Sequence, residues 1–267
     1  MPHIAIVGAG QAAASLAARL RTLGYAGEVT IFGDEPVPPY QRPPLSKKYL
    51  LGEMEEDRLY LRPQGYYADQ GIALRLGAAV TAIDPAGKRL TVSGETVAWD
   101  QLALVTGSVP RRLPAAIGGA LGGVHTVRTL ADIDAMRAEF RPGARVLIVG
   151  GGYIGLEAAA VAAQRGLQVT LIEMAPRILQ RVACPETSAW FAALHRSHGV
   201  DVREGTGLAR LTGEVRASGA ELSDGTALAV DFVIVGVGIL PATALAEAAG
   251  IACDNGIAAD AFGRSSA

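Results

Sequence analysis

The chain has 267 residues, 24 basic and 26 acidic side chains, a formal charge of −2 and an apolar half, which suits one or two soluble domains and excludes binding to polyanions through bulk charge. No apolar run approaches the ~20 residues of a membrane span, and the chain opens directly on a strand-like segment, so the sequence is read as soluble and cytoplasmic, with neither nucleic acid nor membrane as partner. Cys184 and Cys253 are the only cysteines and lie far apart, which leaves no disulfide framework and no metal-ligand cluster.

In chain order, His3 to Val7 is a short apolar run that predicts a strand. Gly8-Ala9-Gly10 follows, then a predicted helix over Ala13 to Leu23 and a second strand over Val29 to Phe32, which together make a βαβ unit. Pro36 to Pro44 is too rich in proline for a helix interior. Ala79 to Ile83, Arg89 to Val92 and Leu102 to Val105 have strand character, and Arg111 to Pro114 reads as a domain boundary. The order of elements then repeats: Arg145 to Val149, Gly150-Gly151-Gly152, a helix over Ile154 to Arg165 and a strand over Val169 to Ile172. Ala220 to Asp224 and Ala227 to Leu228 suggest a hairpin, and Phe232 to Val235 is a buried-type strand running into Gly236-Val237-Gly238. Thirty-three glycines with few aromatics fit an α/β fold in which glycine marks the strand-to-helix turns.

The two glycine-rich turns carry the chemistry. A dinucleotide pyrophosphate is anionic, and a helix N-terminus offers it unpaired amides and a favourable dipole, provided that side chains stand clear. Gly8 permits the tight turn, Gly10 lets backbone approach phosphate, and Ala13 is small enough for helix to lie close on strand; Gly150, Gly152 and Gly155 repeat those roles. Each fingerprint is followed by an acid suited to adenosine ribose hydroxyls, Glu35 in the first unit and Glu173 in the second. A carboxylate at Glu173 would repel the 2′-phosphate of NADP and so favours NADH, while Arg177 nearby could recruit that phosphate.

Pro39-Tyr40-Gln41-Arg42-Pro43-Pro44-Leu45-Ser46-Lys47, with Gly8-Ala9-Gly10 before it and Gly150-Gly151-Gly152-Tyr153-Ile154-Gly155-Leu156-Glu157 after it, resembles the ferredoxin reductases of bacterial oxygenase systems. The likeness extends through Leu61-Arg62-Pro63, Thr106-Gly107 and Gly236-Val237-Gly238 to Pro241. It implies two Rossmann-like dinucleotide-binding domains in a glutathione-reductase-like FAD/NAD(P) fold, the second inserted in the first. Residues 1–112 would open the FAD domain, 113–236 form the NAD domain and 237–267 return to the FAD domain. The implied activity is NADH-dependent reduction of FAD, with electrons leaving for a small [2Fe-2S] ferredoxin. By the same resemblance Lys47 reaches the flavin N5 edge as a cation favouring the anionic reduced flavin, Glu157 pairs with it, and Arg42 lies near the flavin diphosphate. Pro43 and Pro44 stiffen the loop against the flavin, and Val80, Thr106, Gly107, Tyr153, Ile154, Arg181, Gly236, Val237 and Gly238 join the cofactor contacts. Hydride transfer then asks mainly for orientation, with donor and acceptor atoms at roughly 3 to 3.5 Å in a dry site.

Two departures stand out. Val105 occupies a position where the family usually has alanine, and the chain carries neither the family's Ala-x-Gly-Asp motif nor its C-terminal domain after Gly263 to Ala267. The sequence is therefore also compatible with a truncated fragment that binds dinucleotides without turnover, or with an NADH reductase serving rubredoxin, quinone or oxygen. Disulfide-reducing relatives are disfavoured because Ser46 stands where that branch needs cysteine. His3, His125, His195 and His198 show no ligand spacing and are expected at the surface, while Trp99 and Trp190 are expected to pack. Oligomeric state is left open.

Overall fold

The computed structural model describes residues 1–63 and 65–267, and its backbone divides into two compact units. The first comprises Met1–Gln41, Glu56–Val109 and Leu240–Ala267; the second comprises Arg42–Glu55 and Pro110–Ile239. The chain thus crosses at Val109 to Pro110 and at Ile239 to Leu240. Arg42–Glu55, which sequence reading places within an unbroken 1–112 segment, clusters with the second unit.

In the first unit four parallel strands lie in the order Ile72–Arg75, Glu28–Phe32, His3–Val7, Gln101–Leu104. Side chains alternate across the sheet as strand geometry requires. Ile6 turns to one face and packs with Ala13 and Ala17 of the Gln11–Thr22 helix, whereas Ala5 and Val7 turn to the other and meet Ile83, Leu90 and Val92 of an antiparallel sheet. That sheet is formed by Val80–Asp84, Arg89–Val92 and Glu95–Ala98, with Leu245 and Ala249 packed against the same cluster. Full burial of a residue such as Ile6 or Ile31 contributes ~1.5–3 kcal/mol, and both are wholly shielded. The alanines contribute less each, but their small size lets helix approach sheet.

The second unit repeats this plan with five parallel strands in the order Asp201–Glu204, Gln168–Glu173, Arg145–Val149, Phe232–Val235, Val124–Thr126. Leu147, Val149, Val233 and Val235 pack with Leu211, Ala220 and Leu222 of an antiparallel sheet built from Leu208–Thr212, Gly219–Leu222 and Ala227–Ala229. The Tyr153–Gln164 helix buries Leu156, Ala158, Ala159, Val161 and Ala162. The α/β class and the pair of Rossmann-like units are therefore as the sequence implies.

Two expectations fail. His195 is buried, not superficial: it sits at the end of the Pro185–Ser197 helix, and burial, reinforced by nearby His198, holds its pKa below the usual histidine value. His125 also faces a carboxylate, with Nε2 3.7 Å from Glu139 Oε1, and is shifted down chiefly by burial. Trp190, expected in packing, is 60% exposed and touches Phe191 edge-on on the outer side of its helix. Trp99 does pack, partly buried against the first unit's antiparallel sheet.

Candidate functional site

Both fingerprints adopt the same turn. Gly8 and Gly150 each have φ of +111°, a region closed to most side chains. A Cβ at Gly8 would lie 2.3 Å from the Val105 carbonyl oxygen and one at Gly150 2.5 Å from that of Gly236, so glycine is required twice over. Gly10 and Gly152 differ from them. Each is the extended residue that opens a helix of 12 residues, neither helix start is capped by a side chain, and a Cβ built at either position meets nothing within 4 Å. Space therefore opens in front of uncapped helix amides, the arrangement a phosphate needs. Dinucleotide pyrophosphates fit both cradles on this ground. At the third position Ala13 is fully buried, whereas a Cβ at Gly155 would come within 2.0 Å of the Gly150 carbonyl oxygen.

The acids are less alike than their spacing suggests. His3 pairs with Glu28 and Arg145 with Gln168, so register matches Glu173 to Gly33 and not to Glu35. A side chain at Gly33 would collide with Ala9, its Cβ lying 2.5 Å from that methyl. Glu35 comes two residues later, half-buried, and accepts a hydrogen bond of 2.7 Å from the Tyr40 hydroxyl. Glu173 accepts from the Gly151 amide at 2.7 Å through Oε2 and from the Ala175 amide at 2.8 Å through Oε1, which ties strand end to glycine turn. Arg177 is committed elsewhere: it donates to the Ala183 carbonyl, the Ser188 hydroxyl and the Gln180 carbonyl at 2.6 to 3.1 Å.

Lys47 and Glu157, 110 positions apart, meet in the second unit, with Nζ 2.7 Å from Oε1. The lysine lies in a π-helical turn over Leu45–Tyr49, whose regularity breaks at Lys47 with φ −128° and ψ −113°. Its ammonium also donates to the Pro43 carbonyl at 3.1 Å. Ser46, read from sequence only as the residue standing in place of cysteine, is buried and donates to Glu157 Oε2 at 2.5 Å. Buried neighbours Leu45, Tyr49 and Leu50 are the signal that could have marked this turn as packed. Arg42, the Arg128 carbonyl, Tyr49, Asp134 and Arg137 bind the same segment: Arg42 donates to Arg128 at 2.5 Å, the Tyr49 hydroxyl to Asp134 at 2.9 Å, and Arg137 to the Tyr49 carbonyl at 2.9 Å.

The remaining candidates fall into two groups. In the first unit Thr106 donates to the Ala242 carbonyl at 2.7 Å, Gly107 accepts from the Ala242 amide and takes φ +70°, and Val80 packs half-buried beside the antiparallel sheet. In the second, Gly236 donates to the Val149 carbonyl, Val237 is 36% exposed, and Gly238, at φ +104°, lies beside Arg111 and Arg181. Tyr153 and Ile154 stand exposed at the start of the helix that carries Glu157. Among the described residues no group of three or more His, Cys, Asp or Glu could hold a metal, and no helix is long and apolar enough to cross a membrane.

The sequence profile of the family described as pyridine nucleotide-disulphide oxidoreductase matches residues 2–267. The chain is 48% identical over 267 residues to the 5,5'-dehydrodivanillate O-demethylase ferredoxin reductase subunit of Sphingobium sp., covering 98% of this chain and 65% of that protein. It is 41% identical over 261 residues to putidaredoxin reductase of Pseudomonas putida, covering 96% and 62% respectively. Among solved structures it superposes on the covalent putidaredoxin reductase–putidaredoxin complex with a TM-score of 0.95 and 39% identity, covering 99% of this chain and 65% of that one. The resemblance read from the sequence is borne out, and the chain spans less than two thirds of the length of these relatives.

Proposed function

Because this chain belongs to the pyridine nucleotide-disulphide oxidoreductase family, we propose that it is a flavoprotein oxidoreductase that uses FAD to accept hydride from NADH and passes electrons to a [2Fe-2S] ferredoxin. The observation that carries this reading is the doubled cradle: open space at both Gly10 and Gly152 before uncapped helix starts. The ferredoxin acceptor rests on the relatives, of which those compared are ferredoxin or putidaredoxin reductases. A site of action in the cytoplasm follows from dependence on NADH. When bound, FAD supplies the two-electron acceptor and the one-electron exit that no side chain here provides.

The chain's own residues bind and orient. Gly8, Gly10 and Ala13 would receive the FAD pyrophosphate, Glu35 its ribose, and Arg42, Val80, Thr106 and Gly107 the rest of that cofactor. Gly150, Gly152, Tyr153, Ile154 and Gly155 would receive NADH, with Glu173 on the adenosine ribose and Gly236, Val237, Gly238 and Arg181 toward the nicotinamide end. Lys47 places a cation beside the flavin, and Glu157 holds that cation and balances its charge. NADH is preferred to NADPH because Glu173 presents a carboxylate where a 2′-phosphate would come, and Arg177 spends its donors on Ala183, Ser188 and Gln180.

The test is an absorption spectrum of the purified protein followed by NADH titration. Flavin bands at roughly 370 and 450 nm, bleached by NADH and restored by a [2Fe-2S] ferredoxin, are expected. A colourless protein, or flavin bands that NADH leaves untouched, would overturn the reading.

A further inference from the structure

We propose that Ser46 is a positioning residue that fixes the carboxylate plane of Glu157 and thereby aims the Lys47 ammonium. The inference rests on the proposed role of the Lys47–Glu157 pair and adds to it a residue and a device. The last torsion of glutamate is broad and two-fold, so its own rotamer preference does not set which oxygen faces which neighbour. Here each oxygen has one partner: Ser46 Oγ at 2.5 Å on Oε2, and Lys47 Nζ at 2.7 Å on Oε1.

Adjacent residues of a regular helix point ~100° apart and do not share a target. Ser46 and Lys47 nevertheless grip one carboxylate, because the Leu45–Tyr49 turn is π-helical and breaks from helical geometry at Lys47. Such interruptions cluster at functional sites. Burial makes the serine arm firm, with Ser46 4% exposed, whereas the lysine side chain is 47% exposed. An ammonium has three donors. Glu157 and the Pro43 carbonyl take two of them, leaving one whose direction is set by the other two. Removing the serine hydroxyl frees Glu157 to rotate, and the remaining N–H loses its aim.

The experiment uses the flavin-loaded chain with Ser46→Ala, Ser46→Thr, Ser46→Cys, Lys47→Met, Glu157→Gln and the Ser46→Ala/Glu157→Gln double variant. Two readouts are taken: the flavin midpoint potential by dithionite titration against a reference dye, and the rate of flavin bleaching at saturating NADH. For Ser46→Ala the bleaching rate is expected to fall about 10-fold with unchanged half-saturation by NADH. Its potential should move in the same direction as in Lys47→Met. Ser46→Thr, which keeps a hydroxyl, restores both, and Ser46→Cys, a weak donor of similar size, falls between them and serves if Ser46→Ala does not retain flavin. The double variant is expected to be no slower than Glu157→Gln alone. A Ser46→Ala protein with parental rate and potential, beside altered Lys47→Met and Glu157→Gln, would overturn the inference and leave the pair's role intact. Full additivity in the double variant would overturn it as well. Unaltered Lys47→Met and Glu157→Gln proteins would instead overturn the pair's role, and the inference with it.

Discussion

Gly150→Ala and Gly152→Ala add the same methyl two residues apart, and the structure assigns them opposite outcomes. At Gly150 the backbone is held at φ +111° and the new Cβ would sit 2.5 Å from the Gly236 carbonyl oxygen. Strain of that kind costs ~1–3 kcal/mol and overpacking a further ~1–3 kcal/mol, so a loss of about 2–6 kcal/mol is expected. Against a typical total of ~5–15 kcal/mol, that leaves a marginal protein. At Gly152 the backbone is ordinarily extended, with φ −83° and ψ −177°, and the methyl meets nothing within 4 Å. Stability should stay within ~1 kcal/mol of the parent, on the favourable side if anything, because alanine restricts the unfolded chain. The methyl does occupy the approach to the helix amides, and NADH should bind about 10- to 100-fold more weakly, or ~1.4–2.8 kcal/mol. Urea unfolding gives the first quantity and fluorescence titration with NADH the second. If Gly152→Ala unfolded as early as Gly150→Ala, or bound NADH like the parent, the cradle assignment would be refuted.

Further outcomes follow from neighbouring contacts. Arg177→Ala should lower stability by ~1–2 kcal/mol through loss of its bonds to Ala183, Ser188 and Gln180, and leave the preference for NADH over NADPH unchanged in paired steady-state assays. Glu173→Ala should instead erode that preference, and it should also loosen the Gly151 turn, read as faster amide exchange at Gly151 and Ala175. Asp231 bonds the side chain and backbone amide of Arg145, and these bonds depress its pKa to about 2. A depressed carboxylate adds stability above its unfolded pKa, and that contribution is lost as pH falls through the folded value. Asp231→Asn should therefore be less stable than the parent at pH 6 and equal to it near pH 2 in acid-unfolding curves. Burial of His195 acts over a different range: its neutral form is favoured, so stability should decline as pH drops below ~6.5, and His195→Gln should flatten that decline.

The parts of the fold legible in the sequence are those decided locally. Strand, glycine turn and small-residue helix are encoded within about twenty residues, and both units appear with their turns at Gly8 and Gly150 in the same conformation. Boundaries shift by a residue or two; the second helix, for instance, starts at Tyr153 and not at Ile154. Short strands such as Ile72–Arg75, Glu95–Ala98 and Val124–Thr126 carry too little pattern to read and exist because a neighbouring strand pairs with them. The pairing of Lys47 with Glu157 was accessible only through family resemblance, since no local rule joins residues 110 positions apart. Ser46 escaped even that. The inequivalence of Glu35 and Glu173 needed strand register, which depends on which residue of one strand lies opposite which of the next. The exposure of Trp190 and burial of His195 show the same limit: helix face is set by what the helix lands on.

The docking of Arg42–Glu55 on the second unit also bears on how the chain is made. Ser46 leaves the ribosome 111 residues ahead of the glutamate it binds, an interval of about 5 to 20 s at ordinary elongation rates of ~5–20 residues/s. Tyr49 waits 85 residues for Asp134 and 88 for Arg137. Throughout that wait Leu45, Tyr49 and Leu50, all buried in the finished protein, have no final surface to cover them. The nascent chain thus carries an apolar segment that is a natural target for chaperones, and slowing translation downstream of it should lower the soluble yield.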